Sequence, residues 1–270
     1  MVQSPLPRPL VDTHFHIYTR DMPLAATAWH HPQEDASLEL CLETLDRHGV
    51  ALGVISAASL YGTYSDYVLQ ALKRHRRLRG TLMPDLGWDI TQMEAYDAAG
   101  FRGVRFLWRP RDERPDITSE PYRRLLRRCA DLGWHVHLTE RAHRMDDTIR
   151  AIENAGVRLV LDHMALVDTE TGVNDPGFRA ALDAIERGNT WVKLSAGFRF
   201  VQPGLADAVA RELVAAAGWE RLFWGSDWPF AGYEQAVSYE STLQDLARWV
   251  TDPAMQAAVG AHTPVRFFFS

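Results

Sequence analysis

Short apolar runs alternate with amphipathic stretches along the whole 270-residue chain. Eight of the runs have the length and the β-branched and aromatic content of strands. These strand candidates cover residues 10–16, 51–59, 79–85, 101–108, 133–139, 157–163, 190–195 and 221–227. The stretches between them include segments with the helical period, at 37–49, 65–75, 121–133, 145–156 and 176–188. The pattern therefore predicts an α/β fold in which strands and helices alternate.

Strands separated by helices pair in parallel through right-handed crossovers. Eight such units predict a closed (β/α)8 TIM barrel that forms a single domain over residues 1–270. An open, doubly wound sheet is the alternative, but the loop after the first strand lacks the glycine-rich motif of that fold. Residues 251–269 read as a closing helix whose apolar tail packs on the barrel.

The composition narrows the function classes. No apolar run approaches the roughly 20 residues that cross a bilayer, and the first residues lack the pattern of a secretory signal. We therefore expect no membrane partner and a cytoplasmic location. The net charge of -6 argues against nucleic acid as a partner, so a small organic molecule is expected instead. The composition leaves the oligomeric state open.

Histidines and one aspartate stand near the ends of several strand candidates. His14 and His16 end the first, His135 and His137 lie in the fifth, His163 ends the sixth, and Asp227 ends the eighth. In a TIM barrel the chemistry collects at the carboxyl ends of the strands. A single histidine in an apolar strand is more often a core residue than a ligand. Several imidazoles and a carboxylate at one mouth, however, suit Zn²⁺ or a similar divalent ion.

Three motifs carry a family resemblance. "DTHFH" in the first strand, "DHM" at 162–164 and "WGSDWP" at 224–229 resemble the amidohydrolase superfamily. They resemble in particular its branch of TIM-barrel hydrolases that contains 2-pyrone-4,6-dicarboxylate lactonase and sugar-acid lactonases. The stretches 98–106, 132–138 and 175–195 are similar to that branch as well, so the resemblance covers nearly the full chain.

The resemblance implies a metal site formed by His14, His16, His137 and Asp227, with His163 beside it. Zinc is the expected ion because imidazole and carboxylate are its usual ligands. The dicarboxylate lactonase of that branch is thought to work without a metal, although it keeps the H-x-H motif. Both mechanisms therefore stay open. With an ion, His14 and His16 are ligands; without one, they donate hydrogen bonds to a substrate carbonyl.

Arginines supply a second set of expected site residues, because their planar fork of donors matches a carboxylate. Arg105 faces inward by strand alternation, and the resemblance supports Arg105 and Arg199 as binders of an anionic substrate. Arg109 lies in the loop after the fourth strand and either joins them or solvates that loop. Ser59, which ends the second strand candidate, completes the expected substrate-binding set.

The expected activity is that of a lactonase, in which Asp227 is the general base and His163 places water or protonates the leaving oxygen. A metal-dependent decarboxylase or C–C hydrolase and a metal-free lactone isomerase are the alternatives, as is a barrel that binds an acid without turnover. This chain has apolar residues at 230–232 where the lactonase has polar ones. This departure indicates a substrate that is less charged than pyrone dicarboxylate or differently shaped. The loop 27–33 is a candidate lid.

Overall fold

The computed structural model describes residues 6–270, which form one eight-stranded barrel surrounded by helices. All seven strand pairs are parallel, and each strand lies beside the next one in the chain. The strands are β1 Val11–Phe15, β2 Leu52–Ile55, β3 Leu78–Leu82, β4 Phe101–Leu107, β5 His135–Thr139, β6 Arg158–Leu161, β7 Thr190–Leu194 and β8 Leu222–Trp224. The predicted TIM barrel is therefore confirmed. Met1–Pro5, which the predicted domain bounds include, lie outside the described residues.

The ring closes between β1 and the segment that follows β8. The backbone N–H of His16 donates to the Trp228 carbonyl at 2.8 Å, and that of Asp227 donates to the His14 carbonyl at 2.7 Å. This closure rules out the open sheet. It also holds the H-x-H motif and Asp227 side by side, although they come from opposite ends of the chain.

The described residues outside the barrel include ten α-helices. Their bounds are α1 Leu38–Arg47, α2 Asp66–Arg74, α3 Ile90–Ala99, α4 Glu120–Asp131, α5 Ala142–Asn154, α6 Pro176–Arg187, α7 Leu205–Ala217, α8 Tyr239–Trp249, α9 Pro253–Ala257 and α10 Thr263–Phe268. The five helical segments quoted from the sequence match α1, α2, α4, α5 and α6 to within a few residues. Among the described helices, none is both long and apolar enough to cross a membrane.

The C-terminal segment forms the floor of the barrel. A single helix was expected over 251–269, whereas the structure has α9, a π-helical turn over Ala258–His262 and α10. The expected packing of its tail on the barrel is confirmed. Phe267 and Phe268 are buried in a cluster with four inward side chains of the strands, which are Val54, Val160, Trp191 and Phe223. The floor is thus apolar, and the polar side chains lie above it, toward the mouth.

Candidate active site

His163 and Asp227 lie in tight turns directly after their strands. The sequence pattern placed both inside strand runs, but β6 ends at Leu161 and β8 ends at Trp224. Both residues have left-handed backbones, with φ of 53° at His163 and 63° at Asp227. Such a conformation costs a non-glycine residue about 1–3 kcal/mol and is concentrated at functional sites. The strained turns place both side chains at the mouth, where they are almost fully buried.

Three imidazoles surround one oxygen of Asp227. Its Oδ1 lies 3.4 Å from Nε2 of His16, 3.5 Å from Nε2 of His14 and 3.8 Å from Nε2 of His163. Oδ1 of Asp227 and Nε2 of His14 are both buried and have no hydrogen-bond partner among the described residues. Two unpartnered polar atoms at the centre of a buried cluster indicate a place for a ligand.

The hydrogen bonds made by the far side of each ring determine which ring nitrogen carries the hydrogen and which one offers a lone pair to the mouth. Nδ1 of His16 lies 2.8 Å from the carbonyl of Ser56, which only accepts, so this ring carries its hydrogen on Nδ1. Its Nε2 therefore points a lone pair toward Asp227. His163 has Nδ1 at 3.0 Å from Oγ of Ser195, and its Nε2 faces an Arg105 N–H at 3.5 Å. His16 and His163 thus both present a lone pair.

The position of these atoms fits a divalent ion. One group of potential ligand atoms comprises His14, His16 and Asp227, and a second comprises His14, Asp162 and His163, each within 4.8 Å. Imidazole nitrogens with one carboxylate form the donor set that Zn²⁺ prefers. Within the described part of the chain, neither group includes His137. Its ring is fully buried, with Nδ1 3.0 Å from Nζ of Lys193, and its role as a ligand stays a prediction.

Arg199 forms an ion pair with the candidate base. Its Nε lies 2.9 Å and its Nη2 2.8 Å from Oδ2 of Asp227. Burial alone would raise the pKa of Asp227, but the charge of the Arg199 guanidinium beside it holds that pKa well below its usual range. Asp227 is therefore ionised at neutral pH. The Arg199 side chain is 21% exposed, so it also reaches the solvent side of the mouth.

The other expected substrate-binding residues have different partners in the structure. Arg105 is almost fully buried, and it donates to Oδ2 of Asp162 at 2.8 Å and to the Ala57 carbonyl at 2.7 Å. Arg109 donates to the Leu166 carbonyl and so braces the turn after β6. Ser59 lies outside β2, in a 3-10 turn over Ser59–Tyr61, because β2 ends at Ile55.

The loop 27–33 contacts two other segments that follow strands of the barrel. On one side Nε1 of Trp29 donates to Oγ of Ser59 at 3.2 Å. On the other side Nε2 of His30 lies 2.7 Å from Oε1 of Glu234, in the segment after β8. These contacts attach the candidate lid to the segments that follow β2 and β8. Its function as a lid stays a prediction.

Comparison with known proteins identifies the family. The family model described as "Amidohydrolase" matches residues 11–269, which is almost the whole chain. This chain belongs to the amidohydrolase family. The resemblance of the three motifs is therefore confirmed, and with it the assignment of the chain as an enzyme of this superfamily.

Relatives of this amidohydrolase cover nearly its whole length. It is 28% identical to a 4-sulfomuconolactone hydrolase of Rhizobium radiobacter, over 97% of this chain and 91% of the relative. It is 26% identical to a 2-pyrone-4,6-dicarboxylate hydrolase of Comamonas testosteroni, over 99% and 92% of the two chains. A Pseudomonas putida structure assigned as a 2-pyrone-4,6-dicarboxylic acid hydrolase superposes with a TM-score of 0.88 at 33% identity, covering 97% of this chain and 98% of that one.

Sequence reasoning missed two buried charges of this amidohydrolase, Lys193 and Asp162. Both side chains are fully buried, and Nζ of Lys193 lies 3.2 Å from Oδ1 of Asp162. The sequence context of each residue could have revealed it. Asp162 directly precedes His163 in the motif "DHM", and Lys193 is one of only two lysines in the chain and interrupts the apolar run "TWVKLS". A charged side chain in such a run faces either solvent or a polar interior, and the barrel supplies the second.

Proposed function

We propose that this amidohydrolase is a lactonase that hydrolyses a cyclic ester of a small organic acid. The single observation that carries the proposal is the ionised carboxylate of Asp227, held among three imidazoles at the mouth and paired with Arg199. The names of the relatives support the same reaction class, since they are hydrolases of a muconolactone and of a pyrone, which is itself a cyclic ester.

In the proposed reaction, Asp227 removes a proton from water as the water oxygen attacks the lactone carbonyl. His14 lines the position of the carbonyl oxygen, where an N–H on its Nε2 stabilises the developing negative charge. The Nε2 lone pair of His16 accepts a hydrogen bond from the attacking water. The ring C–O bond then breaks, and the proton taken by Asp227 returns to the leaving oxygen. The net change is the addition of one water to give a hydroxy acid.

His163 is suited to relay that proton. Burial lowers its pKa to about 4, although the charges of Asp227 and Asp162 oppose the shift. The ring is therefore neutral at pH 7, and its Nε2 lone pair, 3.8 Å from Asp227, can accept a proton or orient water. It does not start the reaction as an acid, because it holds no spare proton at neutral pH.

Arg199 is the proposed anchor for the carboxylate or other anionic group of the substrate. Its guanidinium lies over the rings of Phe198 and Tyr233, at 5.1 and 5.4 Å, and it reaches solvent. Arg105 is a weaker candidate, since Asp162 and the Ala57 carbonyl already accept its hydrogen bonds. One arginine and an aromatic wall suit a planar acid with a single anionic arm.

A divalent ion, with zinc the expected identity, would be held by His14, His16 and Asp227, with His137 as the further ligand that the resemblance implies. When bound, it supplies Lewis-acid polarisation of the carbonyl and acidifies water. Without it, His14 donates a hydrogen bond to the carbonyl and His16 accepts one from water. In both cases Asp227 remains the residue that takes the proton from water.

A panel of unsaturated and saturated lactones tests the proposal. Ring opening is monitored through the protons that it releases in weakly buffered solution. Each lactone is offered with and without a carboxylate or sulfonate group. We expect turnover that is strongest for planar lactones with one anionic group. The absence of turnover across the panel, in folded protein tested with and without added Zn²⁺, would contradict a lactonase.

A further inference from the structure

Lys193 is a residue of β7, and its Nζ reaches into the barrel between His14 of β1 and His137 of β5. Its Nζ lies 3.0 Å from Nδ1 of His14 and 3.0 Å from Nδ1 of His137, with Ser56 Oγ farther away at 3.5 Å. None of the reactions described above uses this lysine. A fully buried charge that contacts two predicted site histidines calls for a role of its own.

The two rings accept hydrogen bonds from Lys193. An ammonium group has three donors and no acceptor, so a ring nitrogen at 3.0 Å from it must offer a lone pair. The counter-ion is Asp162, whose Oδ1 lies 3.2 Å from Nζ. That carboxylate is also paired with Arg105 at 2.8 Å, so the two buried cations share one buried anion.

A neutral imidazole carries one hydrogen, and its position on His14 depends on which neighbour Nδ1 faces. Asp162 competes for this atom, because its Oδ1 lies 3.3 Å from Nδ1 of His14. Nζ of Lys193 is the nearer of the two, at 3.0 Å, and an ammonium group can only donate to this nitrogen. The geometry therefore favours a bare Nδ1 on His14 and a hydrogen on its Nε2.

We infer that Lys193 is a positioning residue that holds His14 in the Nε2–H form, so that the ring directs an N–H rather than a lone pair into the mouth. This inference concerns the site of the proposed function and adds to it. In this form His14 donates toward a substrate oxygen, and it cannot use Nε2 as a metal ligand. Lys193 thereby lowers the affinity of the mouth for a divalent cation, leaving His16 and Asp227 as the ready ligands.

The opposite arrangement, with the hydrogen of His14 on Nδ1, predicts a different effect of Lys193 on metal binding. Metal-binding histidines usually donate their other N–H to a carboxylate, which fixes the ring for ligation. If His14 donates from Nδ1 to Asp162, its Nε2 is a ligand and Lys193 serves only as a counter-charge. Removing Lys193 would then weaken metal binding by disturbing Asp162, instead of strengthening it.

Nuclear magnetic resonance of protein labelled with ¹⁵N-histidine and treated with chelator distinguishes the two forms. Bare and protonated ring nitrogens give well-separated ¹⁵N signals, and the His14 signals are assigned by their loss in His14→Asn. We expect the hydrogen of His14 on Nε2 in the unmodified protein. A hydrogen on Nδ1 would overturn the inference, whatever any variant does.

The second measurement is the affinity for Zn²⁺ alone, obtained by competition with a fluorescent chelator. Lys193→Met keeps the length of the side chain and removes the donor, so His14 is expected to turn its N–H to Asp162. Changes in such supporting partners alter metal affinity by about 10- to 100-fold, and we expect Lys193→Met to bind Zn²⁺ more tightly by a factor in this range. Unchanged or weaker binding would contradict the inference.

The other lysine of the chain provides a matched control. Lys73 is exposed on α2, so Lys73→Met should leave both the His14 signals and the Zn²⁺ affinity unchanged. If Lys193→Met does not fold, the spectrum of the unmodified protein still decides the position of the hydrogen. Neither measurement uses turnover, so a failure of the lactonase proposal would be seen separately in the lactone panel.

Discussion

At the scale of the residue, the proposed chemistry depends on Asp227. Its backbone N–H is fixed by the His14 carbonyl, and its side chain is fixed by Arg199 and the imidazoles. The position of the carboxylate therefore depends on both ends of the chain. Its charge depends on Arg199, because burial by itself would favour the neutral acid.

Replacement of the base tests its role directly. Asp227→Asn keeps the shape of the side chain and removes the ability to take a proton from water. We expect kcat to fall by at least about 100-fold, the low end of what a positioned general base contributes. Circular dichroism should show an unchanged fold. Activity within tenfold of the unmodified enzyme would show that another group is the base.

Arg199 is expected to act on substrate binding. Arg199→Gln removes a charged hydrogen-bond partner worth about 1.5–3 kcal/mol, so KM for an anionic lactone should rise by about tenfold or more. A lactone without an anionic group is the control, and its KM should change little. Equal changes for both substrates would show that Arg199 acts only on Asp227, and a larger effect from Arg109→Gln would identify Arg109 as the anchor.

At the scale of the element, the floor formed by α10 supports the layer that contains the site. The ring of Phe268 lies 5.1 Å from that of His135 and 5.1 Å from that of Phe223. His135 in turn stacks on His137 at 4.7 Å. A short C-terminal helix thus packs directly against the aromatic and histidine rings at the bottom of the barrel interior.

Removal of this packing should lower stability more than it lowers substrate binding. Phe268 is 1% exposed, so Phe268→Ala should reduce the free energy of unfolding by about 3–5 kcal/mol, as for other buried aromatic residues. Phe269→Ala, at a partly exposed neighbouring position, serves as the control and should cost less. Urea denaturation measures both changes. Similar losses for the two variants would contradict the role of Phe268 as the floor.

At the scale of the whole molecule, buried neutral histidines make stability depend on pH. Neither ring nitrogen of His135 has a hydrogen-bond partner among the described residues, and burial holds the pKa of this ring well below its usual value of 6.5. The unfolded chain therefore binds a proton below pH 6.5 that the folded chain excludes. Stability contributed in this way is present above pH 6.5 and is lost as the pH falls.

We accordingly expect the melting temperature to decrease as the pH is lowered from 7 to 4.5. Asp12 acts in the opposite direction, because burial raises its pKa to about 6 and its protonation favours the folded state. His14, His137 and His163 add to the loss, since burial lowers each pKa. His135→Leu should reduce the decrease, and an unchanged pH profile in this variant would exclude His135 as a contributor.

The strand order and most of the site were predictable from the sequence because both rest on local signals. Hydrophobic periodicity is a property of neighbouring residues, and eight strand–helix units have one common closed solution. His14, His16, His163 and Asp227 were predicted as site residues because chemistry in this fold lies just beyond the strand ends, and the structure brings their side chains together. The left-handed backbone conformations of His163 and Asp227 could not be predicted from the sequence, since they depend on the contacts around these residues.

Pairings between distant residues were decided only by the tertiary structure. Arg199 was expected to bind substrate, but its pairing with Asp227 depends on the spacing of two turns at the mouth. Lys193 and His14 are 179 positions apart, and they meet because closure of the barrel brings inward side chains into one polar layer. The sequence by itself determined which chemical groups reach the mouth. The tertiary structure decided which of them neutralise one another, because charge pairing depends on distances through space and not on positions along the chain.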